Sequence, residues 1–106
     1  EAGYWIKANS PIKNPNIIGM GRVDLRKVAF YAEGEFSCVS PLDYKTFQWY
    51  VEQKRPNYLI FYREDLSEGI FSTINKNERY VLVKEWVCKR RGKEGHFRLY
   101  RVKETF

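Results

Sequence analysis

The chain has 106 residues, of which 43% are apolar and 30% charged, and this predicts a single globular domain over residues 1–106. No apolar run approaches the roughly 18 residues that a membrane-spanning helix needs. Two cysteines and one histidine cannot supply the four ligands of a structural zinc site. We therefore expect neither membrane insertion nor a bound metal.

The net charge of +6 lies in the last third of the chain. Residues 76–106 carry ten Lys/Arg against four Glu, whereas residues 1–75 carry nine charges of each sign. Charge clustered in this way can attract a polyanion, and charge spread evenly mostly keeps a protein soluble.

The N-terminal third is irregular. Residues 3–9 alternate and contain aromatic and β-branched side chains, which predicts a first strand. Residues 10–21 contain two Pro, two Gly and two Asn. That composition predicts a loop, with Ile17 and Ile18 tucked beneath it.

Two patterns compete in residues 22–40. Apolar residues recur at helical spacing over 22–32, and Gly34 could end such a helix. The same segment also alternates on both sides of a turn at 32–35, as a β-hairpin does. Phe, Tyr, Val and Cys dominate it, so we favour the hairpin and leave the helix open.

The strongest helical pattern covers residues 41–54. Ser40 can cap this helix and Pro41 suits its first position. Trp49 points away from the apolar face, so it either makes a second contact or is exposed. Residues 55–57 end the helix. The apolar face consists of Tyr44, Phe47, Tyr50 and Val51.

The remaining residues predict strands. The apolar run at 58–63 is typical of a central strand, a polar turn follows, and 69–74 predicts a further strand. Residues 79–89 predict a long strand that is apolar on both faces, hence central. A turn at 90–95 leads to a last strand at 96–103. The fold class is therefore α+β, with a mainly antiparallel sheet packed on one principal helix at about 41–54.

Basic and aromatic residues are interleaved in the last two predicted strands. A cationic turn between strands that carry aromatic side chains can hold a phosphate backbone while bases stack nearby. The alternative is a solvated edge hairpin whose charge prevents aggregation. Trp86 and Tyr100 are the predicted stacking residues, and the cations are the predicted phosphate contacts. The candidate nucleic-acid-binding residues are Lys84, Trp86, Lys89, Arg90, Arg91, Lys93, Arg98, Tyr100 and Arg101.

Catalytic patterns are not recognisable in the sequence. His96 lies beside the basic turn and fits a surface or capping residue better than a general base. The carboxylates at 64–68 are typical of a solvated turn. Gly19 and Gly21 lack the remainder of a phosphate-binding loop. We therefore predict a protein that is not an enzyme and has no cofactor.

Cys38 and Cys88 leave two alternatives. They could form one disulfide in an oxidising compartment, or each could be a buried thiol that acts as a small apolar residue. The chain begins at Glu1 rather than Met, which indicates trimming and allows a removed secretion signal. A bridged pair would indicate a secreted protein, and reduced thiols an intracellular one.

Several short segments resemble small secreted fungal ribonucleases and ribonuclease-like effectors. They are Tyr4-Trp5 with Ile12, the run Pro56 to Phe61, Gly69-Ile70-Phe71 and Trp86-Val87-Cys88. The catalytic histidine and the N-terminal cysteine of that family are not matched. The resemblance therefore implies a scaffold without catalysis that binds RNA or a host protein.

The sequence as a whole predicts a non-catalytic protein that binds RNA or single-stranded nucleic acid through residues 79–103. The alternative is a small secreted protein-interaction module, such as an effector, an inhibitor or an immunity-type protein. Its interface would use exposed aromatic residues such as Trp49 and Trp5.

Overall fold

A computed structural model of the chain shows a mixed five-stranded sheet with helices on both faces. This confirms a small single domain of the α+β class. The prediction that falls on residues 22–32 lies outside the described part of the chain. The structure describes residues 2–10, 15–20, 33–39, 44–66, 68–90 and 92–103.

The described elements comprise three α-helices, five strands and one 3-10 turn. In chain order they are α1 (Ala2–Asn9), β1 (Asn16–Met20), β2 (Glu35–Val39), α2 (Tyr44–Lys54), β3 (Tyr58–Tyr62), the 3-10 turn (Arg63–Asp65), α3 (Glu68–Lys76), β4 (Tyr80–Arg90) and β5 (Lys93–Val102).

The strands lie in the order β2-β1-β3-β5-β4. β1 is parallel to both β2 and β3, whereas β5 is antiparallel to both β3 and β4. The sheet is therefore mixed rather than mainly antiparallel. β3 is central, as its sequence predicts, because Leu59, Ile60 and Phe61 are all fully buried.

Two separate apolar clusters cover the two faces of the sheet. On one face, which we call the α2/α3 face, Phe47 of α2 and Ile74 of α3 pack over a cluster that includes Phe61 of β3. On the other, the α1 face, Ile6 of α1 packs over a cluster that includes Ile60. Alternate residues of each strand point to opposite faces. The cluster to which one residue of a strand belongs therefore indicates the face to which the other residues of that strand point.

The strand predicted for residues 3–9 is wrong, because α1 occupies this segment. Gly3 and Ile6, one helical turn apart, are buried, while Lys7, Ala8 and Asn9 are exposed. The buried residues of this segment therefore recur at the three-residue spacing of a helix and not at the two-residue spacing of a strand.

The loop predicted for 10–21 is also wrong over its second half, where β1 forms. Ile17 and Ile18 are both fully buried, which is typical of a parallel strand covered on both faces. Gly34 lies so close to Pro15 that an added Cβ would come within 2.3 Å of the Pro15 carbonyl oxygen.

Helix α2 confirms the predicted helix over the part that is described. Phe47 and Val51 are fully buried, and Trp49 is 56% exposed. Arg55 has a φ of 46° and ends the helix. The cap predicted at residues 40–43 lies outside the described residues. Because α1 and α3 also cover the sheet, α2 is not its single principal helix.

The strand predicted for 69–74 is wrong, because this segment lies in α3. Ile70, Phe71 and Ile74 are buried, and their spacing places them on one side of a helix. β2 is extended, as the predicted hairpin requires, but it pairs in parallel with β1.

β4 and β5 form a hairpin, as the sequence predicts, but β4 is not central. It lies at the edge of the sheet, and Val87 and Leu82 are 59% and 43% exposed. A register shift between Leu82 and Lys84 interrupts the pairing with β5. Such irregularities and lysines are common on edge strands, where they discourage further strand pairing.

Candidate functional site

The β4–β5 hairpin extends beyond the end of its neighbour β3. β3 pairs with residues 97–101 of β5, so residues 87–90 and 93–96 continue past its carboxyl end. Gly92 in the turn has a φ of 78°, which favours glycine. Ligands of open α/β sheets commonly bind at the carboxyl ends of the parallel strands, and the hairpin tip projects from that end.

The two faces of this hairpin differ in the acidic side chains that they carry. Arg98 lies opposite Glu85 in the register, and the Arg98 guanidinium lies over the α3 residue Phe71. Glu94 is four residues from Arg98 and therefore points to the same α2/α3 face. Both carboxylates of the described hairpin thus lie on the α2/α3 face.

Arg98 is committed to contacts inside the protein. Its Nε donates to Glu85 Oε2 at 2.5 Å and its Nη1 donates to Tyr100 Oη at 3.1 Å. The guanidinium carbon lies 5.0 Å from the centre of the Phe71 ring, and the side chain is 15% exposed. Arg98 is therefore poorly placed to contact a phosphate, contrary to the role that the sequence predicts for it.

Tyr100 is not available for base stacking. It is 1% exposed and stacks on Phe61 with ring centroids 5.3 Å apart. The predicted stacking role of Tyr100 is therefore wrong: it belongs to the core of the α2/α3 face.

His96 is paired with Glu64, which follows β3. The Nδ1 atom of His96 lies 2.5 Å from Glu64 Oε1, and the His96 backbone N–H donates to the same carboxylate. The hydrogen bond to Glu64 raises the pKa of His96, although burial opposes this. Burial also opposes ionisation of Glu64, but hydrogen bonds from His96 outweigh it and lower the Glu64 pKa. This pair joins the 3-10 turn to β5.

The α1 face of the hairpin carries a row of three aromatic side chains. Tyr62 of β3, Phe97 of β5 and Trp86 of β4 are direct neighbours in the register. The ring centroids are 4.8 Å apart for Tyr62 and Phe97, and 5.8 Å apart for Phe97 and Trp86. All three side chains are half-buried, and Trp86 and Phe97 pack with one part against the core of the α1 face. We call these three residues the aromatic row.

The sequence predicts one member of the aromatic row and misses two. Trp86 is among the candidates, whereas Tyr62 and Phe97 are not. Tyr62 and Phe97 each alternate with buried neighbours in the sequence. This alternation predicts a strand, but it does not indicate which strands are adjacent in the sheet. The pairing of β3 with β5 brings the three rings together, and no local pattern encodes that pairing.

Exposed cations lie on the same face as the aromatic row. Lys84 is opposite Leu99, and Arg101 is opposite Tyr58; both partners belong to the core of the α1 face. Lys93 is four residues from Phe97 and points the same way. All three cations are exposed.

The remaining predicted cations lie on the other face, at the hairpin tip or outside the described residues. Lys89 is opposite Glu94 and points to the α2/α3 face. Arg90 is the register partner of Lys93 at the hairpin tip, and Arg91 lies outside the described residues. The predicted set thus divides between the two faces. Its role in binding stays a prediction.

Cys38 and Cys88 occupy the two opposite edge strands, β2 and β4. Four strand spacings of about 4.8 Å separate these edges, roughly 19 Å, and a disulfide needs Cα atoms within about 7 Å. This strand order does not bring the two cysteines together, so a bridge within one chain does not fit the fold.

In the described ranges, no cluster of three His, Cys, Asp or Glu could hold a metal ion. No helix in these ranges is long and apolar enough to span a bilayer. Comparison of the chain with protein-family models, curated proteins and solved structures found no match. The resemblance to fungal ribonuclease-like proteins therefore stays a prediction.

Proposed function

We propose that this protein is a non-catalytic binding domain for RNA or single-stranded nucleic acid, and that the aromatic row is its contact surface. One observation carries the proposal. The aromatic row shares the α1 face with Lys84, Lys93 and Arg101, and the hairpin carboxylates lie on the opposite face. A surface that is both aromatic and basic suits a ligand with flat bases and a phosphate backbone.

Adjacent strands supply the stacking positions. Neighbouring strands are about 4.8 Å apart, so the three rings span two strand spacings, about 10 Å. Stacking of one base on an aromatic side chain contributes about 1–3 kcal/mol by alanine substitution. Three partly exposed rings can therefore supply useful affinity without hydrogen bonds to base edges.

The lysines are spaced to contact the phosphate backbone of a nucleic acid on both sides of the aromatic row. Lys84 is two residues from Trp86 on β4, a distance of about 7 Å along a strand. Lys93 lies four residues from Phe97 in the direction of the hairpin tip, about 13 Å away. Phosphates of a strand that crosses the row can approach either position.

Charge reversal tests this proposal. The double variant Lys84→Glu/Lys93→Glu removes the two described lysines beside the aromatic row. The matched control Lys45→Glu/Lys54→Glu makes the same charge change on exposed positions of α2. We expect the first variant to lose at least about tenfold in affinity for a labelled oligouridine, and the control to lose much less. Fluorescence anisotropy at two salt concentrations measures both.

The salt dependence gives a second check in the same experiment. Each phosphate contact on a single strand contributes a slope of about −0.7 to the plot of log affinity against log salt. The Lys84→Glu/Lys93→Glu variant should therefore flatten the slope. Absence of binding by the unmodified protein, or equal losses in both variants, contradicts the proposal.

A protein-interaction module is the second candidate, and Trp49 favours it. This side chain is 56% exposed on α2, away from the aromatic row, and contacts Tyr50 edge to face. Tryptophans often dominate the binding energy of protein interfaces. Trp5, the other predicted anchor, is partly buried against the core of the α1 face. A pull-down with and without nuclease distinguishes the two candidates, since nuclease removes only partners held through nucleic acid.

A further inference from the structure

We infer that the aromatic row selects unpaired nucleic acid in a segment of two or three nucleotides and does not read its base sequence. This inference rests on the proposed function, because it specifies the ligand of the same surface.

The size of the row limits the footprint. It has one ring on each of three adjacent strands, so it offers at most three stacking positions. Beyond Phe97 on β5, the next residue on this face toward the hairpin tip is Gly95, which is buried and has no side chain to stack. In the opposite direction Leu99 is fully buried in the core of the α1 face. The described face therefore has no fourth aromatic position along β5.

The amide and carboxylate side chains that read bases lie elsewhere in the described part of the chain. Asn and Gln make the paired hydrogen bonds that identify adenine, and carboxylates accept from cytosine. The hairpin residues 80–90 and 92–103 contain no Asn or Gln. Glu85 and Glu94 point to the α2/α3 face, where Glu85 is bound to Arg98.

The side-chain amides of α1 and β1 are occupied at other places. Asn16 donates from its side chain to the Lys54 carbonyl and from its backbone to the Asn57 side chain, both at the amino end of the sheet. Asn9 donates to the Trp5 carbonyl within its own helix. The described surface around the aromatic row thus offers ring faces and the ammonium groups of Lys84 and Lys93, which contact every base alike. The guanidinium of Arg101 is on this face too, but Arg101 lies four residues from Phe97, about 13 Å along β5.

Duplexes should be excluded for a physical reason. In a double helix the base faces are already stacked, and proteins that stack aromatic side chains on bases bind single-stranded loops and ends. Only the cations could then contact a duplex, and that contact lacks the stacking contribution.

The test is a length and composition series measured with the unmodified protein. We expect affinity to rise with each nucleotide from one to three uridines by about 5- to 150-fold, which corresponds to one stacked base, and to level off afterwards. The trimers of uridine, adenosine and cytidine should bind within about tenfold of one another, because stacking tolerates every base. A hairpin duplex of equal charge should bind at least about tenfold more weakly than the single strand.

Three variants assign the series to the aromatic row. Trp86→Ala should remove the increase in affinity from one of the added nucleotides, Trp86→Phe should restore most of it, and Trp49→Ala should leave the series unchanged. Circular dichroism and thermal melting show that each variant is folded. Binding with a strong base preference, a continued rise beyond three nucleotides or equal duplex affinity overturns this inference and leaves the proposed function standing. Absence of binding to every oligonucleotide overturns the proposed function itself.

Discussion

The roles of Arg98, His96 and Tyr100 depend on which face of β5 they occupy. All three point to the α2/α3 face, where Glu85 pairs with Arg98, Glu64 pairs with His96, and Phe61 stacks on Tyr100. In the sequence they are indistinguishable from Lys93 and Phe97, which alternate with them. Side-chain composition therefore identifies the basic hairpin, and the pairing of the strands decides which residues are accessible.

The pair of His96 and Glu64 predicts a pH dependence of stability. The pKa of His96 is raised and that of Glu64 is lowered, so the contact stabilises the fold where both groups are charged. Glu64→Gln removes it. The difference in unfolding free energy between the unmodified protein and the Glu64→Gln variant should be largest between pH 4.5 and pH 6.5, which are the ordinary pKa values of Glu and His. It should be lost as pH rises through the raised His96 pKa, and as pH falls through the lowered Glu64 pKa.

Urea unfolding at several pH values measures this difference, and NMR titration of the His96 ring gives its pKa. Glu94→Gln is the matched control, because Glu94 is more exposed and lies 3.4 Å from the His96 Nε2. A His96 pKa that is the same in the Glu64→Gln protein as in the unmodified one would contradict the account.

At the scale of elements, α3 shows why local composition misleads. Ile, Phe and Thr favour strands, and residues 69–74 contain them in sequence. In the fold, Ile70, Phe71 and Ile74 pack together against the α2/α3 face. Packing of these side chains against the sheet outweighs a propensity of a few tenths of a kcal/mol per residue.

β1 shows the opposite error. Its flanking prolines and asparagines predict a loop, yet all of Ile17 to Met20 is buried. A short parallel strand needs cover on both faces, and that cover comes from α1 and from the core of the α2/α3 face. Distant residues provide this environment, so a window around β1 cannot show it. α2, β3 and the hairpin are predictable because their own patterns are long or strongly apolar.

Two glycines should respond in opposite directions to replacement by alanine. Gly69 lies in α3 and an added Cβ meets nothing within 4 Å, so Gly69→Ala should stabilise the fold by up to about 1 kcal/mol. Gly92 has a φ of 78°, and Gly92→Ala should destabilise the fold by about 1 kcal/mol. Thermal melting of the two variants measures the shifts. A stabilising Gly92→Ala would contradict the turn geometry.

At the scale of the whole molecule, the strand order separates Cys38 from Cys88. The two lie on opposite edges of the sheet, with β1, β3 and β5 between them. This separation depends on long-range pairing alone, which explains why the sequence leaves the disulfide open.

A thiol titration tests the strand order. Monomeric protein purified without reductant and then unfolded in denaturant should give two thiols per chain, because no bridge within the chain fits the fold. Mass spectrometry after alkylation identifies both sites. A monomer without reactive thiols would require Cys38 and Cys88 to be adjacent and would contradict the strand order.

The molecule as a whole separates its charge between two faces of one hairpin. The sequence locates the net charge in residues 76–106 but cannot assign it to a face. In the fold the hairpin carboxylates and their partners lie on the α2/α3 face, and exposed Lys84, Lys93 and Arg101 lie beside the aromatic row. The proposed function depends on this separation.

The most direct measurement of that claim is fluorine NMR of protein labelled with fluorotryptophan. Trp5, Trp49 and Trp86 give three signals, which single Trp→Phe variants assign. On addition of a short oligouridine, the Trp86 signal should shift with a saturable dependence on concentration. The Trp49 signal should stay in place, because Trp49 lies on α2 over the other face of the sheet. A Trp86 signal that does not move under saturating oligouridine would contradict the proposed function.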